Sequence, residues 1–243
     1  MKSLQMQSCV HDEGTIECAL FDIDVPAPSE KEVMVKIEAS PINPSDLGLM
    51  FGAADIDSIR ASERNGHPSI ILDVPPPAMR AMATRINEWL PVGNEACGTV
   101  VEAGASPEAQ ALLGKRVALF CGEMYSNYRT ISVFQCIPLA EDTTPEEGAS
   151  CFVNPMTALG FVETMKMEGH KAIVHTAAAS NLGQMLNRIC LDDGVPLVNV
   201  VRNEEQVALL KGQGAAHVVN SSDDDFASEE HTSELQSRLC ISY

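Results

Sequence analysis

The segment from residue 171 to residue 220 constrains the fold most. Its apolar residues have the spacing of a strand and the spacing of a helix in turn, with no long loop between them. The predicted elements are, in order, a strand at 171–176, a turn of small residues at 177–183, a helix with Leu182, Met185, Leu186, Ile189 and Cys190, a strand at 196–201, a helix at 204–211 and a strand at 217–220. A strand, a tight turn and a helix in this order place a diphosphate group at the N-terminus of the helix. The sequence therefore predicts a nucleotide-binding unit and favours an oxidoreductase.

The turn at 177–183 has small residues where a dinucleotide-binding turn usually has three glycines. Ala178, Ser180 and Gly183 occupy the glycine positions of the pattern G-x-G-x-x-G. Small side chains leave room for a diphosphate, and a glycine at the last position lets the helix approach the strand closely. The candidate cofactor-binding residues of the turn and the helix start are Ala178, Ser180, Asn181, Leu182, Gly183 and Gln184. The alternative is a tight strand-to-helix turn that holds no ligand.

Arg202 follows the second strand of this unit, 19 residues beyond Gly183. An acidic residue near this position usually binds the ribose 2′-hydroxyl group, whereas an arginine suits a 2′-phosphate. Asn203 stands at the next position, where an acidic residue would otherwise be expected. The sequence therefore predicts NADPH as the preferred cofactor and leaves NADH open. The alternative is a solvated arginine at the end of a strand.

The composition argues against several classes of function. Among 243 residues, 16 Lys and Arg stand against 34 Asp and Glu, which gives a net charge of −18. Such a chain repels phosphate backbones, so we expect no nucleic-acid partner. No segment approaches the ~18 apolar residues of a membrane span, and the N-terminus lacks an apolar signal core. The eight cysteines are scattered without a CxxC pair, which is typical of the cytoplasm, where we expect the protein to reside.

Residues 1–140 are predicted to be β-rich, with short strands separated by glycine and proline. The expected strands lie at 15–25, 32–38, 98–102 and 116–120. They favour a sandwich or a small barrel. The segment at 75–90 differs, because its apolar side chains share one helical face; they are Met79, Met82, Ile86 and Trp89. We expect an amphipathic helix packed on the barrel, and a flap over an active-site mouth is the alternative.

The periodicity changes near residue 145, where we place the domain boundary. Thr144–Glu147 has a capping-box pattern, and Asn154 followed by Pro155 repeats the combination of a helix cap and a proline. Residues 227–243 resemble translated sequencing-adaptor read-through, so we expect a non-native tail, and a genuine polar tail is the alternative. A doubly wound sheet that stops after its third strand is incomplete, so we expect a C-terminally truncated chain.

Four blocks of sequence, taken together in their order and spacing, resemble the medium-chain dehydrogenase/reductase superfamily. They are Ser40–Asp46, Pro91–Gly104, Val153–Ala158 and the β-α-β unit. The resemblance implies an α/β protein with a GroES-like β-barrel catalytic domain at 1–145 and an incomplete Rossmann doubly wound parallel sheet at 146–226. Zinc-dependent members have a cysteine and a histidine ligand where this chain has Asn43 and Asn94. Because two amides cannot replace a thiolate and an imidazole on Zn²⁺, we expect no metal.

The zinc-independent branch of this superfamily includes quinone oxidoreductases and 2-enoyl thioester reductases. The resemblance to it implies hydride transfer to an enal, enoyl or quinone-type acceptor, a small-molecule substrate and a homodimeric parent protein. It implies Asn43 and Asp46 as catalytic residues, with turn formation beside Pro44 as the alternative. It also implies Asn154 and Thr157 at the start of a helix that faces the nicotinamide, with helix capping as the alternative. Enoyl thioester reductases have a catalytic tyrosine soon after the first block, but the matching stretch at 50–54 has none.

Two alternatives stay open at this point. The missing tyrosine and the glycine-poor turn favour a nucleotide-binding or structural protein that uses the same scaffold without turnover. The incomplete sheet favours an inactive fragment of an active parent, and we expect the truncated chain itself to be poorly active.

Overall fold

The computed structural model describes residues 1–223 and Phe226. The chain divides into two compact units, the first from Met1 to Phe152 and the second starting at Val153. The predicted tail at 227–243 lies outside the described residues. Within the described part of the chain, no helix is long and apolar enough to cross a lipid bilayer.

The first unit is built from antiparallel strands. Its strands are β1 (Lys2–His11), β2 (Thr15–Asp24), β3 (Glu32–Ala39), β4 (Asp55–Arg64), β5 (His67–Asp73), β6 (Leu90–Pro91), β7 (Glu95–Ala103), β8 (Arg116–Phe120), β9 (Tyr128–Ser132) and β10 (Cys136–Pro138). Its helices are α1 (Pro44–Met50), α2 (Pro76–Ala81), α3 (Pro107–Leu112) and α4 (Pro145–Ala149). One five-stranded sheet has the order β4-β5-β2-β1-β6, and the other has the order β10-β8-β7-β3-β9. The four predicted strands are confirmed as β2, β3, β7 and β8.

The helix predicted at 75–90 packs as expected, but the prediction of its length is wrong. Met79, Met82 and Ile86 pack against the buried core of the first sheet, as an amphipathic segment should. The helix α2 nevertheless ends at Ala81, a short 3₁₀ turn follows, and Asn87 has a φ of 60° that interrupts any helix. Trp89 therefore points elsewhere and meets the ring of Phe21 edge-on, with ring centroids 4.7 Å apart.

The second unit is a parallel sheet with helical connections. Its elements are α5 (Val153–Met167), β11 (Ile173–His175), α6 (Asn181–Asp193), β12 (Leu197–Val201), α7 (Glu204–Gly212) and β13 (His217–Asn220). The three strands are parallel neighbours in the order β11-β12-β13. Helix α6 ends at Asp193, and the following Gly194 caps it with a φ of 66° that glycine adopts without steric cost. The β-α-β unit predicted from the apolar pattern is thus confirmed.

The two predicted helix starts have different outcomes. At α4 the capping box is confirmed, because Glu147 N donates to Thr144 Oγ1 (3.2 Å) and Thr144 N donates to Glu147 Oε2 (2.9 Å). At α5 the prediction is wrong, because the helix begins at Val153 and Asn154 lies inside its first turn instead of at the cap. Proline is tolerated throughout the first helical turn, where no intrahelical donor is needed, so Pro155 does not fix the starting residue.

Candidate functional site

The turn between β11 and α6 leads sharply into a capped helix start. Ser180 is the N-cap of α6, and its Oγ accepts a hydrogen bond from Gly183 N at 3.1 Å. Ser180 N donates to Ala177 O at 2.9 Å, so the chain turns sharply before the helix begins. The first amide groups of a helix have no partner inside it, and together with the helix dipole they favour an anion.

Gly183 allows the start of α6 to lie against the turn. A Cβ atom at this position would come within 2.3 Å of Ala178 O, a backbone atom that cannot move aside cheaply. The structure therefore places the start of α6 in close contact with the backbone of the turn at Gly183. Ala178 is fully buried beside Val201 and Leu210, so its methyl group packs into the core under the turn.

An open depression of about 500 Å³ lies along this turn. Its lining consists of residues 176–180, residues 200–202 and Gln206. A second depression of about 380 Å³ shares Ala179 and Gln206 with it and extends along the start of α7. The structure thus brings Arg202 and the predicted turn, which are distant in sequence, to the same surface.

The backbone of Arg202 is fixed while its side chain is exposed. Arg202 N donates to Gln206 Oε1 at 3.0 Å, and Ser222 Oγ donates to Arg202 O at 2.7 Å. No carboxylate among the described residues forms an ion pair with the guanidinium group, although Glu205 lines the adjoining depression. A guanidinium group at this place suits a phosphate group of a ligand lying along the turn.

The other predicted cofactor residues have more ordinary surroundings. Asn181 and Leu182 begin α6. Gln184 Nε2 donates to Ala179 O at 3.0 Å, and its Oε1 accepts from Gln213 Nε2 at 2.6 Å, so this side chain braces the turn. Thr157 Oγ1 donates to Val153 O at 2.7 Å inside α5, next to Asn154 in the same turn of helix. Sequence reasoning missed Thr176 and Gln206, which line the depression but carry no motif.

In the first unit, the structure brings Asn43 and Asp46 together with a carboxylate that the sequence analysis did not assign. Asn43 N donates to Asp46 Oδ2 at 2.8 Å, and Asn43 Nδ2 donates to Glu95 Oε1 at 2.9 Å. Glu95 Oε2 also accepts from Phe152 N at 3.2 Å. All three polar side chains are at most 4% exposed. The only sequence signal for this buried carboxylate was a glutamate at the start of the apolar strand β7.

The amide groups at the positions of the zinc ligands take part in hydrogen bonds. Asn43 Nδ2 donates to Glu95, and Asn94 Nδ2 donates to Ser45 Oγ at 2.9 Å. Across residues 1–223, no group of three His, Cys, Asp or Glu side chains is arranged to hold a metal ion. In this structure the side-chain amides of Asn43 and Asn94 serve as hydrogen-bond donors.

Two further ionisable side chains lie near the predicted sites. Burial, the nearby carboxylate of Asp46 and that of Glu95 raise the pKa of Tyr125. In the second unit, His175 is half-buried at the end of β11 beside the ring of Phe161, and burial lowers its pKa. These are the surroundings of a packing residue at a strand end.

The chain is similar in sequence to several curated proteins. No family model matches the chain. The mitochondrial enoyl-[acyl-carrier-protein] reductase of Xenopus tropicalis is 25% identical over 216 residues, which cover 86% of this chain and 53% of that protein. A protein of the same name from Caenorhabditis elegans is 25% identical over 209 residues, covering 82% of this chain and 51% of that protein. The chain spans about half the length of these curated relatives.

Solved structures resemble the chain over almost its whole length. A structure described as a putative NADPH:quinone reductase from Mesorhizobium loti has 30% sequence identity and a TM-score of 0.68, covering 98% of this chain and 65% of that one. The Escherichia coli quinone oxidoreductase complexed with NADPH has 20% identity and a TM-score of 0.67, covering 96% of this chain and 63% of that one. In sequence and fold the chain resembles quinone and enoyl reductases, in agreement with its resemblance to the medium-chain dehydrogenase/reductase superfamily. The predicted fold class, a GroES-like β-rich region followed by a partial Rossmann sheet, is confirmed.

Proposed function

We propose that the protein is an NADPH-dependent oxidoreductase that reduces an enal, enoyl or quinone-type small molecule. The depression formed by the turn before α6, with Arg202 on its rim, is the observation that carries this proposal. The relatives support it, because their names describe enoyl reductases and quinone reductases, and one solved relative holds NADPH.

The residues of the second unit fit a dinucleotide phosphate. The start of α6, capped by Ser180, offers amide hydrogens to a diphosphate, and Gly183 lets the helix lie close enough to do so. Arg202 suits the 2′-phosphate that distinguishes NADPH from NADH. In this proposal Asn154 and Thr157 contact the nicotinamide end. A bound nicotinamide cofactor supplies a hydride, while the protein binds and orients the reactants.

The residues of the first unit are proposed to orient the acceptor. Asn43 and Asp46 form a buried, hydrogen-bonded network with Glu95, so their side chains are fixed before a ligand arrives. A fixed polar network can orient a carbonyl group without paying an ordering cost during the reaction. The substrate class extends from enals and enoyl thioesters to quinones, because the stretch at 50–54 lacks the tyrosine that would single out thioester reduction. Three expectations stay predictions: that the parent protein is a homodimer, that it resides in the cytoplasm, and that the first domain is catalytic while the second binds the cofactor.

A second candidate is a protein that binds the nucleotide without turnover. The missing tyrosine favours it. The assay that separates the two follows the loss of NADPH absorbance in the presence of quinones and enals, with calorimetric NADPH binding measured in parallel. Binding together with acceptor-dependent oxidation supports the oxidoreductase. Binding without oxidation by any acceptor supports the second candidate, and the absence of both contradicts the first proposal and the second alike.

A further inference from the structure

Tyr125 occupies a place that the fold prepares for it in the first unit. Its ring lies against Gly93, where an added Cβ atom would be 2.5 Å from Tyr125 Cδ1 and where φ is +94°. Its backbone N–H donates to Val92 O at 3.0 Å, and its hydroxyl group donates to Pro41 O at 2.8 Å. A glycine in the left-handed region thus makes room for the ring, and the hydroxyl reaches the loop that precedes α1.

The carboxylate of Asp46, on that same helix, has an unmet hydrogen-bond acceptor. Asp46 is 1% exposed, and its Oδ2 accepts from Asn43 N. Its Oδ1 is buried and has no hydrogen-bond partner among the residues that the structure describes. An unpaired carboxylate oxygen in the interior is costly, so a donor within reach would be strongly favoured.

The phenol of Tyr125 is close to this carboxylate. After burial, the Asp46 carboxylate is the largest cause that raises the pKa of Tyr125, and Glu95 adds to it. The hydroxyl group of Tyr125, which donates to Pro41 O, therefore has the carboxylate group of Asp46 as a second acceptor nearby. Both acceptors belong to the short segment that carries the proposed catalytic residues Asn43 and Asp46.

We propose that Tyr125 is a positioning residue for Asp46, whose hydroxyl group is shared between Pro41 O and Asp46 Oδ1 and holds both in the orientation that the reaction needs. The effect on turnover rests on the proposed function, whereas the hydrogen bond itself does not. The proposal also gives a reason for Gly93, because a side chain at that position would displace the ring.

A double-mutant cycle tests the coupling without requiring activity. Tyr125→Phe keeps the ring against Gly93 and removes only the hydroxyl, and Asp46→Ala removes the carboxylate. Tyr128→Phe is the matched control, because it makes the same change on β9. If Asp46→Ala does not fold, Asp46→Asn replaces it, since it removes the charge that strengthens the bond. The readout is the melting temperature of each single and double variant.

We expect Tyr125→Phe to lower the melting temperature by about 2–4 °C in the wild-type background, and by less than half as much when Asp46 is changed. Tyr128→Phe should have the same effect in both backgrounds. In the active protein, Tyr125→Phe should lower kcat about tenfold and leave the KM for NADPH unchanged. Equal effects of Tyr125→Phe in both backgrounds would overturn the proposal. A wild-type protein without NADPH-dependent turnover would refute the proposed function and still leave the melting cycle readable.

Discussion

Gly183 marks the closest approach between α6 and the turn before it. Gly183→Ala would place a methyl group 2.3 Å from Ala178 O, so we expect the helix start to shift. The cost should be about 1–3 kcal/mol of unfolding free energy. Displacement of the amide groups at the helix start should weaken NADPH binding as well. Chemical denaturation and calorimetric titration measure the two effects.

Gly160→Ala is the matched control for this change. Gly160 lies inside α5, and nothing lies within 4 Å of a Cβ atom added there. Alanine should therefore stabilise that helix by up to about 1 kcal/mol and leave NADPH binding unchanged. Equal stability losses in both variants would show that close approach is not what Gly183 provides.

Arg202 is the residue on which the cofactor preference depends. Arg202→Ala should weaken NADPH binding roughly tenfold or more and change NADH binding little, because only NADPH has the 2′-phosphate. Arg188→Ala is the control, since Arg188 is an exposed arginine on α6 that pairs with Asp192. The dissociation constants of both cofactors for the three proteins decide the matter. Parallel losses for NADPH and NADH, or none, would contradict the assignment.

The roles of single residues were predictable from the sequence where a motif or a family resemblance pointed to them. They were not predictable where residues distant in sequence come together only in the folded chain. Gly183 and Arg202 follow from spacing within one β-α-β unit. Glu95 and Tyr125 lie far along the chain from Asp46, and nothing in their local sequence links them to it. Their relation arises from the pairing of β7 and from the loop after β8, which are tertiary features.

Among the elements, the outer strand β4 is linked to β2 by a buried carboxylate, in addition to the backbone pairing of β4 with β5 and of β5 with β2. Glu17 on β2 is 2% exposed and accepts two hydrogen bonds from Arg64 on β4, from Nε at 3.0 Å and from Nη2 at 2.5 Å. The guanidinium carbon of Arg64 lies 4.7 Å from the centroid of the Trp89 ring. Burial alone raises the pKa of Glu17, but the hydrogen bonds, led by those from Arg64, outweigh it and hold the pKa below its usual value.

Glu17→Gln should therefore destabilise the protein, because Arg64 loses its charged partner. The expected cost is about 2–4 kcal/mol at neutral pH, near the low end for buried pairs since Arg64 is partly exposed. A carboxyl group whose pKa is lowered by folding stabilises above its unfolded pKa of about 4.5, and this contribution disappears as the pH falls through the folded value. Denaturation of wild type and variant between neutral and acid pH should show their stabilities converging.

Glu63→Gln provides the control, because Glu63 is exposed on the same strand β4. Its effect on stability should be within about 0.5 kcal/mol at every pH. If Glu17→Gln changes the stability as little as this control does, the buried pair does not stabilise the attachment of β4 to β2.

Elements were predictable where one face is buried and apolar. Alternation revealed β2 and β3, whereas β4 is exposed along nearly its whole length and offers no alternation to detect. Strand β1 was missed for another reason, because Ser3, Gln5 and Ser8 occupy buried positions on it that an apolar pattern cannot show. The helix predicted at 75–90 was too long because periodicity does not detect a local break such as the one at Asn87.

At the scale of the whole molecule, each of the two units has buried cores of its own. The antiparallel unit contains the clusters around Val35 and Ile16, and the parallel unit contains those around Leu186 and Leu210. The order of an antiparallel β-rich region and a parallel sheet was predictable from the change of periodicity near residue 145. The proposed cofactor residues of the parallel unit are contiguous with its own core, so binding should stabilise that unit directly.

Calorimetric titration of the protein with NADPH, and with NADH for comparison, tests the central claim most directly. We predict saturable binding at one site, tighter for NADPH, with a melting temperature that rises as NADPH is added. The same titration of Gly183→Ala should show weaker binding. The account would be contradicted if neither cofactor produced a heat of binding or a melting shift at concentrations up to roughly millimolar.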